Sequence, residues 1–396
     1  YDRLVTFKFN GKEISGYQGD TIASALLANN KRVVGRSYKY SRPRGIVSCG
    51  PEEPNGILQM GGTEATQTPN VRATQQEIYE GLECRSTNGW PSVEHDVMGW
   101  FGRIFSKFLP AGFYYKTFMF PAALWGLYEY FIRKVAGLGR SPEAIDPDVY
   151  DHLNHHADVL IIGAGAAGMQ VASVLARSGL RLMLIDERPR LGGSTLVDHP
   201  QINGADSQHW LNGMEDQLEA AGVSILRRTT VVGYHDHNYL VAYEKRTDHL
   251  SVSCSDHSRQ RLHLIRAGQV VLATGAQERP LVYAHNDLPG CMQAHAIKTY
   301  IRQFGVVPGE RLVLTTTNDW AWQTAFAWHD VGREVVAIVD SRSAPGADVL
   351  DGATRRSIPV FLSSAVIEAV GSKLVRRAKI AHIASGQVEG SIQNIA

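Results

Sequence analysis

Residues 157–187, ADVLIIGAGAAGMQVASVLARSGLRLMLIDE, decide the fold of this chain. The first apolar run predicts a buried strand, the glycine-rich turn opens an amphipathic helix, and the second apolar run predicts another buried strand. Gly163, Gly165 and Gly168 form G-x-G-x-x-G directly between strand and helix, the context that gives this motif its meaning. The stretch therefore predicts a Rossmann-type α/β unit that binds a dinucleotide.

The turn and the acid that follows it predict how the dinucleotide is held. The second glycine lets the backbone approach a pyrophosphate, and the helix N-terminus offers N–H groups and a positive dipole end. Asp186 ends the second strand, where its carboxylate accepts hydrogen bonds from ribose hydroxyls. Because a carboxylate there repels a 2′-phosphate, NAD or FAD is favoured over NADP.

Two flanking segments extend the predicted site. Residues 187–194 (ERPRLGGS) and 273–276 (ATGA) resemble the segments that pass beside the cofactor in flavoproteins with two dinucleotide-binding domains. The predicted cofactor-binding residues are Gly163, Gly165, Ala166, Ala167, Gly168, Asp186, Glu187, Arg188, Gly193, Ser194, Thr195, Thr274 and Gly275, with Arg42 and Arg44 from the N-terminal region.

Later strand patterns, RLVLTTT (311–317) and REVVAIVD (333–340), predict a second, degenerate nucleotide-binding subdomain. Asn318, Asp319 and Trp320 follow its first strand, where a pyrophosphate turn needs glycines, so we expect no ordinary NAD(P)H binding there. No C-x-x-C follows Gly193, which excludes a disulfide reductase.

The N-terminal region begins like a ferredoxin-like β-grasp domain. LVTFKF and KEISGY flank an Asn10–Gly11 turn, and Asp20 is expected to cap a helix over residues 21–29. The loop over residues 30–60 would wrap a [2Fe–2S] cluster in such a domain, but it contains Cys49 alone, so we expect no cluster. Its basic residues either form a solvated loop or contact a cofactor or interface, and both interpretations stay open.

The predicted domains are a cluster-free β-grasp domain (1–90), an aromatic-rich connector with a helix (91–156), a dinucleotide-binding Rossmann domain (157–300) and the incomplete second subdomain (301–396). The chain has 396 residues and a formal net charge of +1, which argues against nucleic-acid binding. The apolar stretch 117–128 is too short to cross a bilayer. Without a signal peptide or paired cysteines, a cytoplasmic location is expected.

Two features weigh against further chemistry in this chain. His152, His155 and His156 are interpreted as part of a polar linker in preference to a metal site. No general base, activated nucleophile or metal constellation is predicted, so we name no catalytic residue and no metal ligand.

Longer strings carry a family resemblance along nearly the whole chain. VGRSYKYSRPRGIVSCGPEEPN, AGFYYKTFMFP and ATGAQERP resemble the alpha subunit of heterotetrameric sarcosine oxidase. In that family, a folate-binding, aminomethyltransferase-like half follows the region that this chain resembles. The chain is therefore expected to be a fragment or one part of a split subunit, and folate chemistry is not assigned to its residues.

The resemblance implies cofactors and partners. It implies NAD⁺ on this chain, a beta subunit carrying FAD, FMN near the alpha–beta boundary, and gamma and delta subunits, the delta subunit holding zinc. It also implies oxidation of sarcosine to glycine with O₂, giving H₂O₂ and passing the one-carbon unit to tetrahydrofolate.

Three alternatives stay open on the sequence alone. They are a stand-alone FAD-dependent reductase, an assembly module with a purely structural dinucleotide, and a subunit of a related heteromeric amine, proline or opine dehydrogenase. The last group often keeps the cysteines that this N-terminal loop lacks, which favours sarcosine oxidase.

Overall fold

The computed structural model describes residues 3–97, 99, 120–202, 204–251, 257–386 and 388–393. The chain divides into two compact units. One unit is continuous and spans Pro147–Gln277, and the other combines Tyr1–Asp146 with Glu278–Ala396. The predicted mixed α/β class is confirmed, whereas the bounds of the four predicted domains stay predictions.

The N-terminal segment folds around a five-stranded sheet with the order β2-β1-β7-β5-β6, beside a two-stranded β3-β4 pair. Its elements are β1 (Leu4–Phe9), β2 (Lys12–Tyr17), α1 (Ile22–Ala28), β3 (Gly35–Arg36), β4 (Pro43–Arg44), β5 (Ile57–Met60), β6 (Thr68–Arg72) and β7 (Glu83–Ser86). Asn10 and Gly11 both have positive φ, so the predicted hairpin turn joins β1 to β2. Phe7, Ile22 and Leu26 are fully buried between this sheet and α1.

The cap of α1 corrects one prediction. The N-cap is Thr21, whose side chain accepts a hydrogen bond from the Ser24 amide, and not Asp20. Asp20 is buried and accepts instead from the Tyr17 amide and the Ser24 hydroxyl, both at 2.8 Å. The sequence placed an acid at the helix start, but the hydroxyl one residue later has the cap geometry.

A buried carboxylate organises the loop before β5. Glu53 is 1% exposed. One of its oxygens accepts from the amides of Val47 (2.9 Å) and Ser48 (2.8 Å), and the other from those of Asn55 (2.8 Å) and Gly56 (3.1 Å). Backbone donors buried in a loop need acceptors, and the Glu53 carboxylate supplies them.

Residues 100–119 of the predicted connector lie outside the described residues. The predicted helix in this region is present as α2 (Trp125–Ala136), entered by a 3-10 turn at Ala122–Leu124. Gly137, with φ of 74°, ends the helix in the left-handed conformation that favours glycine. Within the described ranges, none of the helices combines enough length and apolar character to pass through a bilayer.

The continuous unit is built on a six-stranded sheet with the order β12-β9-β8-β15-β14-β13. The first four strands in this order are parallel, and β15, β14 and β13 form an antiparallel meander. The elements are β8 (Tyr150–Ile162), α3 (Ala166–Leu175), β9 (Leu182–Ile185), α4 (Thr195–Asp198), β10 (Gln201–Ile202), β11 (Ala205–Asp206), α5 (Ser207–Ala220), β12 (Ser224–Leu226), β13 (Thr229–His235), β14 (Tyr239–Lys245) and β15 (Gln260–Leu272).

The long pair β8 and β15 corrects the linker interpretation of the histidine-rich segment. The two strands stay in register from Tyr150 beside Gln260 to Ile162 beside Leu272. His152, His155 and His156 therefore lie inside a strand. Alternation of polar and apolar residues was too weak there to predict a strand, and pairing with β15 supplies the missing stabilisation.

The C-terminal segment carries the second α/β layer and an antiparallel sheet. Its elements are α6 (Ala294–Phe304), β16 (Arg311–Thr316), α7 (Trp322–Asp330), β17 (Glu334–Asp340), α8 (Ala347–Arg355), β18 (Val360–Phe361), β19 (Ser364–Gly371), β20 (Val375–His382) and β21 (Val388–Gln393). Strands β16-β17-β18 are parallel, and β19-β20-β21 are antiparallel. Trp322 and Trp328 of α7 are buried in its core.

We expect Glu53→Gln to lower the free energy of unfolding by about 2–4 kcal/mol, because an amide cannot accept from backbone donors at both ends and hydrogen bonds to charged groups contribute about 1.5–3 kcal/mol each. Urea unfolding followed by circular dichroism measures the change. Glu52→Gln, one residue away, is the matched control and should shift stability by no more than about 0.5 kcal/mol. An E53Q protein as stable as the E52Q control would contradict this account of the loop.

Candidate functional site

The turn between β8 and α3 brings three backbone segments into very close approach. Gly163 has φ of 99°, and a Cβ added there would lie 2.4 Å from the carbonyl oxygen of Ala273. A Cβ added at Gly168 would lie 1.9 Å from the carbonyl oxygen of Gly163. Both positions therefore require glycine for the fold itself.

Gly165 differs from these two glycines because the space beside it is open. Among the described residues beyond its chain neighbours, an added Cβ at Gly165 would come within 4 Å of the Gly193 Cα alone, at 3.9 Å. Gly165 is also the N-cap of α3, with no side-chain cap on the first-turn N–H groups, which belong to the helix that Ala166 and Ala167 begin. The turn thus combines open space with unused helix donors, the two properties that pyrophosphate binding requires.

Asp186 lies immediately after β9, beside this turn. Its two carboxylate oxygens accept from the amides of Ala164 (2.7 Å) and Arg188 (2.8 Å). Each carboxylate oxygen retains a second lone pair, so both can still accept from ribose hydroxyls. Glu187 follows and is half-buried.

The two flanking segments also come to the turn. The Gly192 amide donates to the Ala164 carbonyl at 2.8 Å, which places Gly193 beside Gly165. Ser194 is the N-cap of α4, and the Thr195 hydroxyl donates to the Gly192 carbonyl. Thr274 and Gly275 are exposed just after the end of β15, and the Cα of Thr274 lies 3.2 Å from a Cβ added at Gly163.

These residues fit the adenosine diphosphate part of a dinucleotide. Glycine-lined space, uncapped helix donors and a carboxylate at the next strand end are the three elements of such a site. All the predicted residues from Gly163 to Gly275 belong to the continuous unit. Their role in binding stays a prediction.

Arg42 and Arg44 belong to the other unit, where both bind Asp287. Arg42 donates to the two Asp287 carboxylate oxygens at 2.8 and 2.7 Å, and Arg44 donates to one of the same oxygens. Burial raises the pKa of the Asp287 carboxyl, but hydrogen bonds from Arg42 and Arg44 lower it below its usual range. These arginines thus join the N-terminal loop to the segment before α6, and cofactor contact by them stays a prediction.

In the second nucleotide-binding subdomain, side chains form hydrogen bonds at the turn that follows β16. Asn318 accepts from the Ala321 amide at 3.1 Å, at the start of α7. Arg342 donates to Asp319 at 2.6 Å and to the buried Asp340 at 2.7 Å, and the Trp322 indole donates to Asp340 at 2.9 Å. The polar residues that the sequence offers instead of glycines thus form hydrogen bonds with other groups of the protein, Asn318 with the Ala321 amide and Asp319 with Arg342.

A chain of polar groups crosses the meander of the continuous unit. His155 Nε2 lies 2.9 Å from His263 Nδ1, and His263 Nε2 lies 3.1 Å from Glu244 Oε2. Burial, with the charges of His263 and Arg261, lowers the pKa of His155. Among the described residues no group of three or more His, Cys, Asp or Glu side chains has the geometry of a metal site.

Several of these groups were missed by sequence reasoning. Glu53, Asp287, Arg342 and His263 carried no motif, and each acts through a partner that only the fold brings near. The single available signal was the crowding of arginines around Arg42, which is typical of carboxylate contact.

Two family models match the chain. Residues 2–89 match a model described as 2Fe-2S iron-sulfur cluster binding domain, and residues 157–376 match one described as pyridine nucleotide-disulphide oxidoreductase. Residues 2–89 contain only Cys49 and Cys84. Burial raises the pKa of the Cys84 thiol to about 12. Two thiols, one of them held protonated, do not fit a cluster that needs four ligands.

Curated relatives and a solved structure extend the comparison. The chain is 46% identical over 346 residues to the sarcosine oxidase subunit alpha of Rhizobium meliloti (strain 1021), covering 87% of this chain and 35% of that protein. It is 37% identical over 360 residues to the subunit alpha of Corynebacterium sp. (strain U-96), covering 89% and 32%. The chain thus spans about a third of the length of these relatives.

The crystal structure of L-proline dehydrogenase from P. horikoshii has a similar fold. Its TM-score is 0.59 at 19% sequence identity, covering 100% of this chain and 59% of that chain. At this identity the likeness concerns the fold alone. It agrees with the predicted arrangement of a ferredoxin-like domain followed by a two-dinucleotide-binding-domain fold, which the two family models confirm.

We expect Gly165→Val to reduce the dinucleotide content of the purified protein to less than about a tenth, because the added side chain would occupy the space of the pyrophosphate. The fold should survive, since beyond the adjacent residues the nearest described atom to an added Cβ is the Gly193 Cα at 3.9 Å. Absorbance and mass spectrometry of released nucleotide measure the content, and circular dichroism checks folding. Gly213→Val is the matched control and should keep full content, since an added Cβ there on α5 has no contact within 4 Å among the described residues beyond its own helix. Full content in the folded G165V protein would show that the turn is not the binding site.

We expect Asp287→Asn to destabilise the protein by about 2 kcal/mol at pH 7, because it leaves two arginines without their carboxylate. The folded-state pKa of Asp287 is lowered, so its contribution is present above the unfolded value of about 4 and is lost as the pH falls through the folded value. The difference in urea midpoint between D287N and wild type should therefore shrink below about pH 4. Asp351→Asn, which removes an exposed acid on α8, is the control and should change stability by no more than about 0.5 kcal/mol at pH 7. A D287N difference that is independent of pH would contradict the ion-pair account.

Proposed function

We propose that this chain, which belongs to the pyridine nucleotide-disulphide oxidoreductase family, is the NAD⁺-holding subunit of a multisubunit flavoprotein. The proposed substrate of that flavoprotein is sarcosine or another N-methyl amino acid. The chain is an oxidoreductase subunit homologous to the N-terminal part of sarcosine oxidase alpha subunits. The observation that carries the proposal is the glycine turn with Asp186, found in a chain of this homology.

NAD⁺ is the favoured dinucleotide in this proposal. The Asp186 carboxylate accepts from two backbone amides, which hold it beside the turn, and its charge opposes a 2′-phosphate. NAD⁺ would supply hydride-accepting chemistry when bound, but nothing in the described residues around the turn offers an acid or base beyond Asp186 and Glu187. We therefore place the amine-oxidising chemistry outside this chain, which holds the dinucleotide as a scaffold subunit.

The hydrogen bonds of the second subdomain favour the proposal that each chain binds one dinucleotide and not two. The side chains of Asn318, Asp319 and Arg342 form hydrogen bonds where a second pyrophosphate would need free backbone donors. A reductase that passes electrons from NADH to a bound flavin needs both sites. The arrangement is thus unfavourable for a stand-alone FAD-dependent reductase.

The oxidation itself is proposed to take place on partner subunits. Two electrons and two protons leave the N-methyl amine, reduce O₂ to H₂O₂, and leave an imine whose carbon is transferred to tetrahydrofolate. We propose a beta subunit with FAD, an FMN near its boundary with this chain, and gamma and delta subunits, the last holding zinc. This chain contributes the scaffold and no catalytic residue.

A subunit of a related amine, proline or opine dehydrogenase is the alternative, because the fold is shared with an L-proline dehydrogenase structure. The alternative differs in the cofactor of the complex and in the substrate oxidised. Both proposals keep a dinucleotide at the same glycine turn.

We expect the purified protein, denatured with whatever co-purifies, to release one NAD⁺ per chain of this sequence, with flavin only from a separate, larger polypeptide. Absorbance, mass spectrometry and separation of the polypeptides measure this. The same complex should consume O₂ with sarcosine and form an equal amount of H₂O₂. Release of FAD from this chain alone would overturn the assignment, and turnover with proline but not sarcosine would favour the alternative.

A further inference from the structure

The discontinuous unit, Tyr1–Asp146 with Glu278–Ala396, contains an apolar cavity of about 120 Å³. It lies between β16, β19, β20, the start of α6 and the loop that precedes α6. Buried side chains line it, among them Ile297, Leu312, Leu314, Val366, Val375 and Ala378. Pro280 and Leu281 of the loop also line the cavity and are exposed. The cavity is therefore a recess in the core that a small molecule can enter at this loop.

The walls of the cavity are fixed by backbone hydrogen bonds. The loop is joined to β19 twice, because the Ala284 amide donates to the Ile367 carbonyl at 3.0 Å and the Ala369 amide donates to the Ala284 carbonyl at 2.8 Å. It is joined to β20 where the Val375 amide donates to the Pro289 carbonyl at 3.0 Å. Strand β16 pairs with β17 along its length. Collapse of the walls onto one another would break these bonds, so the cavity is kept open.

Polar side chains of the lining are bound to protein atoms. The Glu278 carboxylate accepts from the amides of Ala294 (3.0 Å) and His295 (2.6 Å) at the start of α6. The Asn286 side-chain amide donates to the Leu281 carbonyl at 3.0 Å. Among the described residues, Glu278 is the one acid of the lining, and no Lys, Arg or His lines the cavity. An anionic ligand would therefore lose its hydration without gaining a counter-charge.

A polar pair on the loop wall carries no charge at neutral pH. The Tyr283 hydroxyl is hydrogen-bonded to the Cys291 thiol. Burial raises the pKa of the Cys291 thiol to about 11 and raises the pKa of Tyr283 above its ordinary value. Both side chains pack against Ala369 and Val375. This wall thus offers a ligand apolar contact and one neutral hydrogen-bonding pair.

The cavity shares no residue with the predicted dinucleotide site within the described part of the chain. Its lining belongs to the discontinuous unit, whereas the predicted residues from Gly163 to Gly275 belong to the continuous unit. Arg42 and Arg44, which belong to the discontinuous unit, are not part of the described lining. A ligand of this cavity would therefore bind in addition to the dinucleotide.

We propose that this cavity binds one small, uncharged and predominantly apolar molecule of about the size of benzene. An apolar cavity of about 150 Å³ in a protein core is large enough to bind benzene, and this cavity is of similar size. Protein interiors pack closely, and the walls of a cavity lack dispersion contacts that an apolar occupant supplies. The proposal goes beyond the proposed function because it adds a ligand class that amine oxidation does not require.

The test measures binding of fluorobenzene by ¹⁹F NMR to protein that is purified with its dinucleotide. We expect saturable binding to the wild type, and binding of the charged control 4-fluorobenzoate to be about tenfold or more weaker. Ala378→Leu places a larger apolar side chain in the cavity and should weaken fluorobenzene binding by about tenfold or more. Ala384→Leu, at an exposed position after β20, is the matched control and should bind like the wild type.

A second measurement locates the ligand in the wild type, so the test does not depend on folding of A378L. The Cys291 thiol lines the cavity, and labelling with N-ethylmaleimide followed by peptide mass spectrometry measures its reaction rate. At about ten times its Kd, fluorobenzene should slow the labelling of Cys291 about tenfold, because only the unoccupied protein reacts. The rate at Cys49, which is not part of the described lining, should stay unchanged.

Four outcomes would overturn the proposal. They are no saturable fluorobenzene binding, equal affinities of folded A378L and A384L, an unchanged labelling rate at Cys291 when fluorobenzene is bound, and release of the dinucleotide when fluorobenzene is added. The last outcome would assign the cavity to the dinucleotide site. Dinucleotide content is measured in the same samples, so failure of the NAD⁺ assignment is seen separately from failure of fluorobenzene binding.

Discussion

The close approach of Gly168 to the carbonyl of Gly163 is the constraint from which the continuous unit is built. A Cβ at Gly168 would lie 1.9 Å from that oxygen, and one at Gly163 would lie 2.4 Å from the carbonyl of Ala273. Three segments, the end of β8, the start of α3 and the end of β15, therefore meet at distances that only glycine allows. This contact aims the helix N-terminus at open space and brings the end of β9, with Asp186, beside it.

Much of this unit was predictable because its signals are local. Within about thirty residues, the sequence contains G-x-G-x-x-G between a strand and a helix and an acid at the end of the next strand. These signals predict the position of the turn and of the carboxylate beside it. The strand formed by DHLNHHA was missed, because its pairing partner, the first half of β15, lies about a hundred residues away. The cap of α1 was off by one residue, since Asp20 and Thr21 are both good caps and backbone geometry decides between them.

In the discontinuous unit, side chains bind the backbone N–H groups and the charged groups at positions where related folds hold a ligand. In the N-terminal loop the Glu53 carboxylate accepts four backbone N–H groups. In the second nucleotide-binding subdomain Arg342 joins Asp319 to Asp340 at the ends of the parallel strands. Neither arrangement follows from sequence, because each depends on which donor the loop turns toward the carboxylate. The cysteine count gives no indication of what stabilises this loop.

The pairing of Arg42 with Asp287 has a consequence for the order in which the chain folds. The two residues are 245 positions apart, and the continuous unit lies between them. Closing a flexible loop of that length would cost on the order of 5 kcal/mol in chain entropy. Parallel pairing of β8 with β15 brings the two ends of the intervening segment together, from Tyr150 beside Gln260 onward. During synthesis on the ribosome, the middle of the chain can therefore fold before the C-terminal segment is complete. The folded middle would then lower the entropy cost of bringing the two outer segments together.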